Sequence, residues 1–377
     1  MSQIPASSSQ PAPRAVDRRE TPPRKGRGAV SNRDGRFEVL RSEPADDGWP
    51  AWDDGLVPEA LRTTVTPDRA KTVITRNTSP DISFDRSINP YRGCEHGCVY
   101  CFARPTHAYL GLSPGLDFET RLFAKQDIAE TLRRELSRPR YRCAVIALGV
   151  NTDAYQPVER RLRRTRAVLE VLSAFNHPVG LITKSHAVLR DLDLLAPMAA
   201  ANLASVAVSL TTLDPELARR MEPRAPSPAN RLRAIRALAE AGVPVTVMAA
   251  PMIPSVNDIE LERILEAARD HGATSAGYVL LRVPLEIEGL VAEWLEAHRP
   301  GQARRVFALL RQAHQGKAYR SEFGTRMRGS GPYADMLGRR FTLATRKLGL
   351  NRRQWALDTT QFRVPDAGAD RRQLSLF

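Results

Sequence analysis

The sequence predicts an α/β fold, an open parallel barrel of six βα units, and three observations carry that reading. Apolar runs of strand length alternate with amphipathic stretches of helix length from about residue 71 to residue 300. Each run is nearly continuous in apolar residues, which suits a parallel strand covered on both faces and not a strand with one wet side. The unit recurs six times, two short of the eight that close a barrel, so the sheet is expected to stay open.

The elements follow in order. Residues 1 to about 36 are Pro, Ser, Arg and Gly with almost no large apolar side chain, and the segment as far as residue 60 is read as a disordered basic lead. The core spans 61–300. Its first strand is expected near residues 87–91, just ahead of a cysteine-rich loop. The other strands are read at 143–150, 178–183, 204–210, 243–249 and 276–281, with helices at 124–136, 158–175, 187–199, 228–241 and 259–271. Several helices end at Gly or Asn and pass into a strand within a few residues, as at Gly242 and Asn176. Residues 301–377 break the alternation with two Arg-rich helices, 303–315 and 335–348, around a flexible Gly329-Ser330-Gly331-Pro332. They are read as a basic carboxyl-terminal appendage.

The net charge of +14 is placed unevenly. Residues 301–377 hold 16 Lys/Arg against 5 Asp/Glu, and residues 1–36 hold 8 against 3, so the basicity sits at the two ends. A solvated tail explains such charge as well as nucleic acid does. No apolar run approaches the roughly 20 residues a bilayer needs, and residues 1–13 lack the apolar core of a secretory signal. The expected location is the cytoplasm. In that reducing compartment four cysteines point to ligands or free thiols and not to disulfides.

Three of the four, Cys94, Cys98 and Cys101, stand in one eight-residue window, CEHGCVYC. Gly93 and Gly97 supply the loose backbone that lets three thiols point at one centre. Three protein ligands leave a further coordination position open, as a catalytic centre requires. A zinc site completed by His96 or His107 is the rival. Cys143 opens an apolar run and is read as a small buried hydrophobe. Because the loop follows the first strand, it falls on the carboxyl-end rim of the barrel, where chemistry gathers in such folds.

CxxxCxxC with an aromatic residue before the last cysteine, set after the first strand of a six-unit βα array, resembles the radical S-adenosylmethionine superfamily. The resemblance implies a partial TIM barrel in which Cys94, Cys98 and Cys101 hold a [4Fe-4S] cluster and S-adenosyl-L-methionine occupies the open iron. It further implies reductive cleavage to a 5′-deoxyadenosyl radical, fed by an electron donor such as flavodoxin or ferredoxin. Polar residues on the strand-end rims would bind the cofactor: Asn151, Thr152, Asp153 and Gln156; Thr183 and Lys184; Ser209 and Thr211; and Glu222, Arg224 and Arg231 for its carboxylate. Pro251 to Pro254 would stack near its adenine. Taken singly, each such residue is as well explained by helix capping.

The stretches NPYRGCEHGCVYC, ITKS and EPRAP are similar to the branch around spore photoproduct lyase, enzymes that repair a thymine lesion in DNA. That lyase places a hydrogen-donating cysteine at the end of its second strand, where this chain reads Gly149, Val150 and Asn151. Tyr100 or Tyr155 would then return the hydrogen, Tyr109 being a third tyrosine able to do so. DNA lesion processing is the first reading. Radical chemistry on RNA, protein or a metabolite is the second, and a non-enzymatic metal-bound nucleic-acid module the third.

Two further signals stand apart from this set. Gln373, Leu374, Leu376 and Phe377 in QLSLF resemble the pentapeptide by which bacterial repair proteins dock on the sliding clamp. Gly111-Leu112-Ser113-Pro114-Gly115 spells a hydrolase elbow, but Pro114 has no N–H for an oxyanion hole, and the stretch is a turn.

Overall fold

The chain is described here by a computed structural model that covers residues 24–38, 61–352 and 356–365. Ten strands are present among them: β1 Thr64–Asp68, β2 Ile74–Arg76, β3 Arg86–Ile88, β4 Tyr91–Arg92, β5 Arg121–Lys125, β6 Ile146–Leu148, β7 Val179–Thr183, β8 Ala204–Ser209, β9 Val245–Met252 and β10 Ser275–Leu280. Helices are α1 Asp117–Thr120, α2 Ile128–Leu136, α3 Glu159–Leu162, α4 Arg164–Ala174, α5 Leu192–Ala200, α6 Pro215–Met221, α7 Pro228–Glu240, α8 Leu261–Asp270, α9 Ile287–His298, α10 Ala303–Ala313 and α11 Pro332–Leu348.

The main sheet runs β10-β9-β8-β7-β6-β3-β2. Its six strands from β3 to β10 pair in parallel, and β2 adds antiparallel at one edge. The expected open six-unit barrel is therefore the architecture. Leu148, Leu181, Val206, Val208 and Val247 are all buried in it, as double-sided coverage requires.

A second sheet, β1-β5-β4, was not foreseen. The first strand was read as continuous over 87–91, but it breaks at Pro90, which has no N–H to donate to a ladder. Past the break β4 turns away and pairs with β5. Residues 121–125 bury every second side chain and form β5, so the helix read from 124 begins only at Ile128, after Asp127 in the left-handed region at φ 48°.

The helix read over 158–175 is divided at Arg163, φ 49°. The buried Glu159 carboxylate takes the freed N–H groups of Thr165 (3.1 Å) and Arg166 (3.4 Å). Sequence reading also passed over α6 and α9. The first carries a plain start signal, Asp214 accepting from Glu216 N and Leu217 N with Pro215 at the first position.

Two expectations about the ends are corrected. Residues 24–38, placed in the disordered lead, pack on the core, with Gly28, Ala29 and Val30 buried. Ser31 and Arg33 bind Glu293 of α9 at 2.7 and 2.6 Å. The carboxyl-terminal helices are likewise continuous with the barrel wall. Arg340 of α11 pairs with Glu262 of α8 (2.6 Å), and the Tyr333 hydroxyl donates to Asp258 (2.7 Å). Pro332, read as part of a flexible separator, is the first residue of α11.

Residues 316–331 run between the two edges of the open sheet. Leu280 N at the end of β10 donates to Met327 O (2.9 Å), and Gly324 N donates to Asp81 in the β2–β3 connection (2.6 Å). Residues 356–365 lie at the other end, beneath the strand starts. Arg363 N donates to Phe175 O (3.0 Å), and the Phe362 ring stacks 6.2 Å from Phe175. Cys143 is half-buried and precedes β6 instead of opening it. No helix among the described residues is long and apolar enough to cross a membrane. The QLSLF peptide lies outside the described residues.

Candidate functional site

Cys94, Cys98 and Cys101 occupy the loop that follows β4, on the carboxyl-end rim of β3. The loop is two tight turns, Gly97 N to Cys94 O (3.3 Å) and Cys101 N to Cys98 O (3.2 Å). Gly97 sits at φ +68°, where a Cβ would lie 2.8 Å from a Glu119 oxygen, so only glycine fits.

The loop backbone is gripped from several sides. Cys94 N donates to Phe118 O (2.9 Å) and Val99 N to Met221 O (3.1 Å). Gln156, wholly buried, accepts from Glu95 N (2.8 Å) and donates to Gly93 O (3.1 Å). Arg104 contributes most. Its guanidinium donates to Cys98 O (2.8 Å), Gly97 O (3.1 Å), Pro114 O (3.1 Å) and Gly115 O (2.8 Å), and pairs with Glu119 (2.5 Å). Both partners are 0% exposed. The Glu119 carboxylate also accepts from Gly28 N (3.0 Å) and Ala29 N (2.8 Å). A Cβ at Gly28 would fall 1.7 Å from Gly97 O, so this amino-terminal segment lies directly against the thiol loop.

Cys94 and Cys98 are buried and Cys101 is half-buried. Burial pushes the Cys94 thiol well up, with Asp153 and the two neighbouring thiols adding to it. Burial likewise takes Cys98 up to about 12, against the opposing pull of Lys184. Lys184 sits with Nζ 5.8 Å from the centre of the Tyr100 ring. Burial opposes its charge, but Cys98 and Glu222 outweigh that and raise its pKa. Among the described residues its Nζ makes no hydrogen bond or ion pair.

Glu222 anchors the far wall. It accepts from the Tyr100 hydroxyl, from Thr211 (2.8 Å) and from Arg231. Burial would raise its pKa, but Arg231 and Lys184 hold it down at about 2. Burial takes the Tyr100 phenol well above its ordinary range, so it stays an O–H donor.

The structure brings Asp153, Thr183, Lys184, Thr211, Glu222 and Tyr100 to this rim and gives several of them partners that sequence alone could not assign. Asp153 accepts from Thr183 Oγ1 (2.7 Å), Lys184 N (2.7 Å) and Tyr155 N (2.9 Å), with His96 Nδ1 at 3.4 Å. These partners outweigh its burial and keep it below the usual carboxylate range. Asn151 is exposed and Thr152 donates to Tyr91 O (3.0 Å). Ser209 is buried and its carbonyl accepts from Arg231 (3.2 Å).

Four expected site residues have their polar groups committed to protein partners. Gln156 spends its amide on the loop backbone. Arg224 pairs with Glu95 (3.0 Å) and reaches Thr63 (3.3 Å). Arg231 is locked between Glu222, Ser209 O and Pro226 O. Tyr155 is buried in the core and donates to Asp191 (2.7 Å) in the turn before α5, away from the thiols. Neither rival zinc ligand completes a thiol site: His107 binds Arg121 O (3.0 Å) and His96 faces Asp153. Among the described residues, no three His, Cys, Asp or Glu side chains converge on one ion.

Sequence reading missed Arg104 and Glu119 altogether. It also missed Asn257, which donates to Thr211 O (2.7 Å) and Pro251 O (3.0 Å) and accepts from Ile253 N (2.6 Å), fixing the ends of β8 and β9 together.

A family profile described as the Radical SAM superfamily matches residues 88–268. An uncharacterized protein of Mycobacterium bovis is 40% identical over 233 residues, 61% of this chain and 68% of that protein. An uncharacterized protein of Methanocaldococcus jannaschii is 26% identical over 173 residues, 46% of this chain and 62% of that protein. Among solved structures, a spore photoproduct lyase mutant with bound AdoMet and dinucleoside spore photoproduct is similar in fold, with a TM-score of 0.54 at 14% identity over 76% of this chain and 80% of that chain.

Replacing Arg104 with Met strands the Glu119 carboxylate in the interior. The expected loss is about 3–5 kcal/mol of stability, read by chemical denaturation. A loss below about 1 kcal/mol would mean the pair does not hold the loop.

Proposed function

Because the chain belongs to the radical S-adenosylmethionine superfamily, we propose that it acts on nucleic acid, with Cys94, Cys98 and Cys101 as the ligands of its cluster. It is a radical S-adenosylmethionine enzyme, and its superfamily works with a [4Fe-4S] cluster and S-adenosylmethionine. When bound, these supply a 5′-deoxyadenosyl radical that abstracts hydrogen from a substrate. The third reading, a non-enzymatic module, is set aside by this membership.

The observation that carries the ligand assignment is three thiols on one short, rigidly held loop at the carboxyl-end rim. The donor set fits. Cluster thiolates each take a different iron, so convergence on a single ion is not required of them. Three thiols also leave one metal position for the methionine end of the cofactor.

The protein's own groups then divide the remaining work. Lys184, a cation without an ion-pair partner among the described residues, meets the cofactor carboxylate. Asn151, exposed on the rim after β6, meets its ribose and amino groups, and Thr152, Thr183, Ser209 and Thr211 shape the rim around it, the three threonine hydroxyls being held by Tyr91 O, Asp153 and Glu222. Asp153, Gln156, Glu222 and Arg231 are positioning residues, since their hydrogen bonds are spent on the loop and its neighbours. Arg224 holds Glu95 on the outer side. Of the three tyrosines read as hydrogen donors, Tyr100 is retained because it stands beside Lys184 and Glu222.

Support for nucleic acid comes from the fold shared with spore photoproduct lyases and from 16 Lys/Arg against 5 Asp/Glu in residues 301–377. A cytoplasmic chain with an electron donor such as flavodoxin or ferredoxin fits four free cysteines. QLSLF at residues 373–377 is proposed to dock on a bacterial sliding clamp.

Anaerobically purified protein should carry about four iron and four sulfide per chain. Cys98→Ala should lose most of that iron. On reduction the intact protein should form 5′-deoxyadenosine, with a yield raised by DNA or RNA; no rise with either removes the nucleic-acid reading. Lys184→Met should keep iron yet weaken cofactor binding about tenfold or more, as loss of a charge-assisted contact does; unchanged affinity would clear Lys184 of the role. A peptide of residues 368–377 should bind clamp, with binding lost on Phe377→Ala, and absence of binding at high micromolar concentration ends that proposal.

A further inference from the structure

The open side of the barrel is crossed by a basic seam. Residues 316–331 carry Lys317, Arg320, Arg326 and Arg328 against a single acid, Glu322. They are pinned at both edges of the sheet, to Leu280 at the end of β10 and to Asp81 and Ser79 in the β2–β3 connection. The seam also touches the thiol loop. Arg282 lies 5.1 Å from the ring of Phe102, the residue after Cys101, and donates to the Tyr319 hydroxyl of the seam (3.1 Å).

Two rings face solvent along this line. Phe323 is 57% exposed with the Arg326 guanidinium 4.8 Å over it, and Phe102 is 40% exposed. A solvated loop has no reason to hold phenylalanines outward between arginines. Asp81 pairs with Arg326, and Glu322 pairs with Arg320 at 2.6 Å. Lys317 and Arg328 are both exposed, and Arg328 lies over Tyr278 at 5.3 Å. Cations beside open aromatic faces are what a polynucleotide strand needs, phosphates on the charges and bases on the rings.

We propose that this seam seats the phosphate backbone of the nucleic-acid substrate, with Phe323 as a platform for one unstacked base. The inference rests on the nucleic-acid reading given above. The seam leads from the edge of the open barrel to Phe102 and Cys101. A strand lying along it delivers a nucleotide to the thiol rim from the open side of the barrel that these residues bridge.

The test is fluorescence anisotropy of a labelled single-stranded oligodeoxynucleotide on the anaerobic holoenzyme across a salt series. The double variant Lys317→Gln, Arg328→Gln should lower the slope of log affinity against log salt by about 1.4. Phe323→Ala should weaken binding about tenfold with the slope retained. Wild-type iron content and melting temperature in both variants separate lost contact from lost fold. If the intact enzyme binds the oligonucleotide and both variants bind it equally, the seam is wrong while the nucleic-acid reading stands. No binding by the intact enzyme to DNA or RNA fails both. Unchanged nucleic-acid binding with slower reduction by flavodoxin would assign the surface to an acidic protein partner and overturn the proposal.

Discussion

The pair of Arg104 and Glu119 is the constraint from which the site is built. A guanidinium and a carboxylate without exposure are costly unless every donor and acceptor is met. Here the five N–H groups of the fork have carbonyl or carboxylate acceptors, two of them the Gly97 and Cys98 carbonyls between the thiols. The carboxylate in turn collects the backbone of Gly28 and Ala29. One ion pair therefore fixes the shape of the cysteine loop from below and fastens a distant segment of chain beneath it. Lysine could not replace the arginine, because a point charge cannot reach carbonyls on three sides of a plane.

The upper side of the loop is organised by opposite means. Glu222 and Asp153 are each satisfied by several donors, which outweigh burial and keep both ionised. Their negative charge favours a protonated Lys184 close to Cys98. Below the thiols the polar groups are consumed in holding backbone. Above them, among the described residues, the Lys184 cation is left over, and that asymmetry gives the rim a direction. Asn257 performs the equivalent holding task between β8 and β9 with three hydrogen bonds from a single amide.

The barrel was legible because its strands are apolar runs whose period needs no partner to interpret, and the thiol loop because three cysteines in eight residues have few uses. What escaped was set by long-range pairing. Gly28 and Ala29 look like lead sequence until Glu119 is seen to receive them. Arg104 opens a short 3-10 helix, Arg104–Leu110, with no periodicity to mark it. Gln156 and Arg231 spend their polar groups on the Glu95 and Gly93 backbone and on Glu222 and Ser209 O, partners that sequence does not reveal because it does not say which way a side chain faces at a strand end. β5 was the avoidable miss, because Leu122 and Ala124 do alternate.

The anchoring of Phe362 under the barrel gives the molecule a polarity of attachment. Residues 356–365 lie on the side of the strand starts, while the thiols stand at the strand ends. A partner engaged on that segment would hold the protein by its back. The thiol rim would remain unobstructed, so binding there would raise the local concentration at a target without competing for the rim.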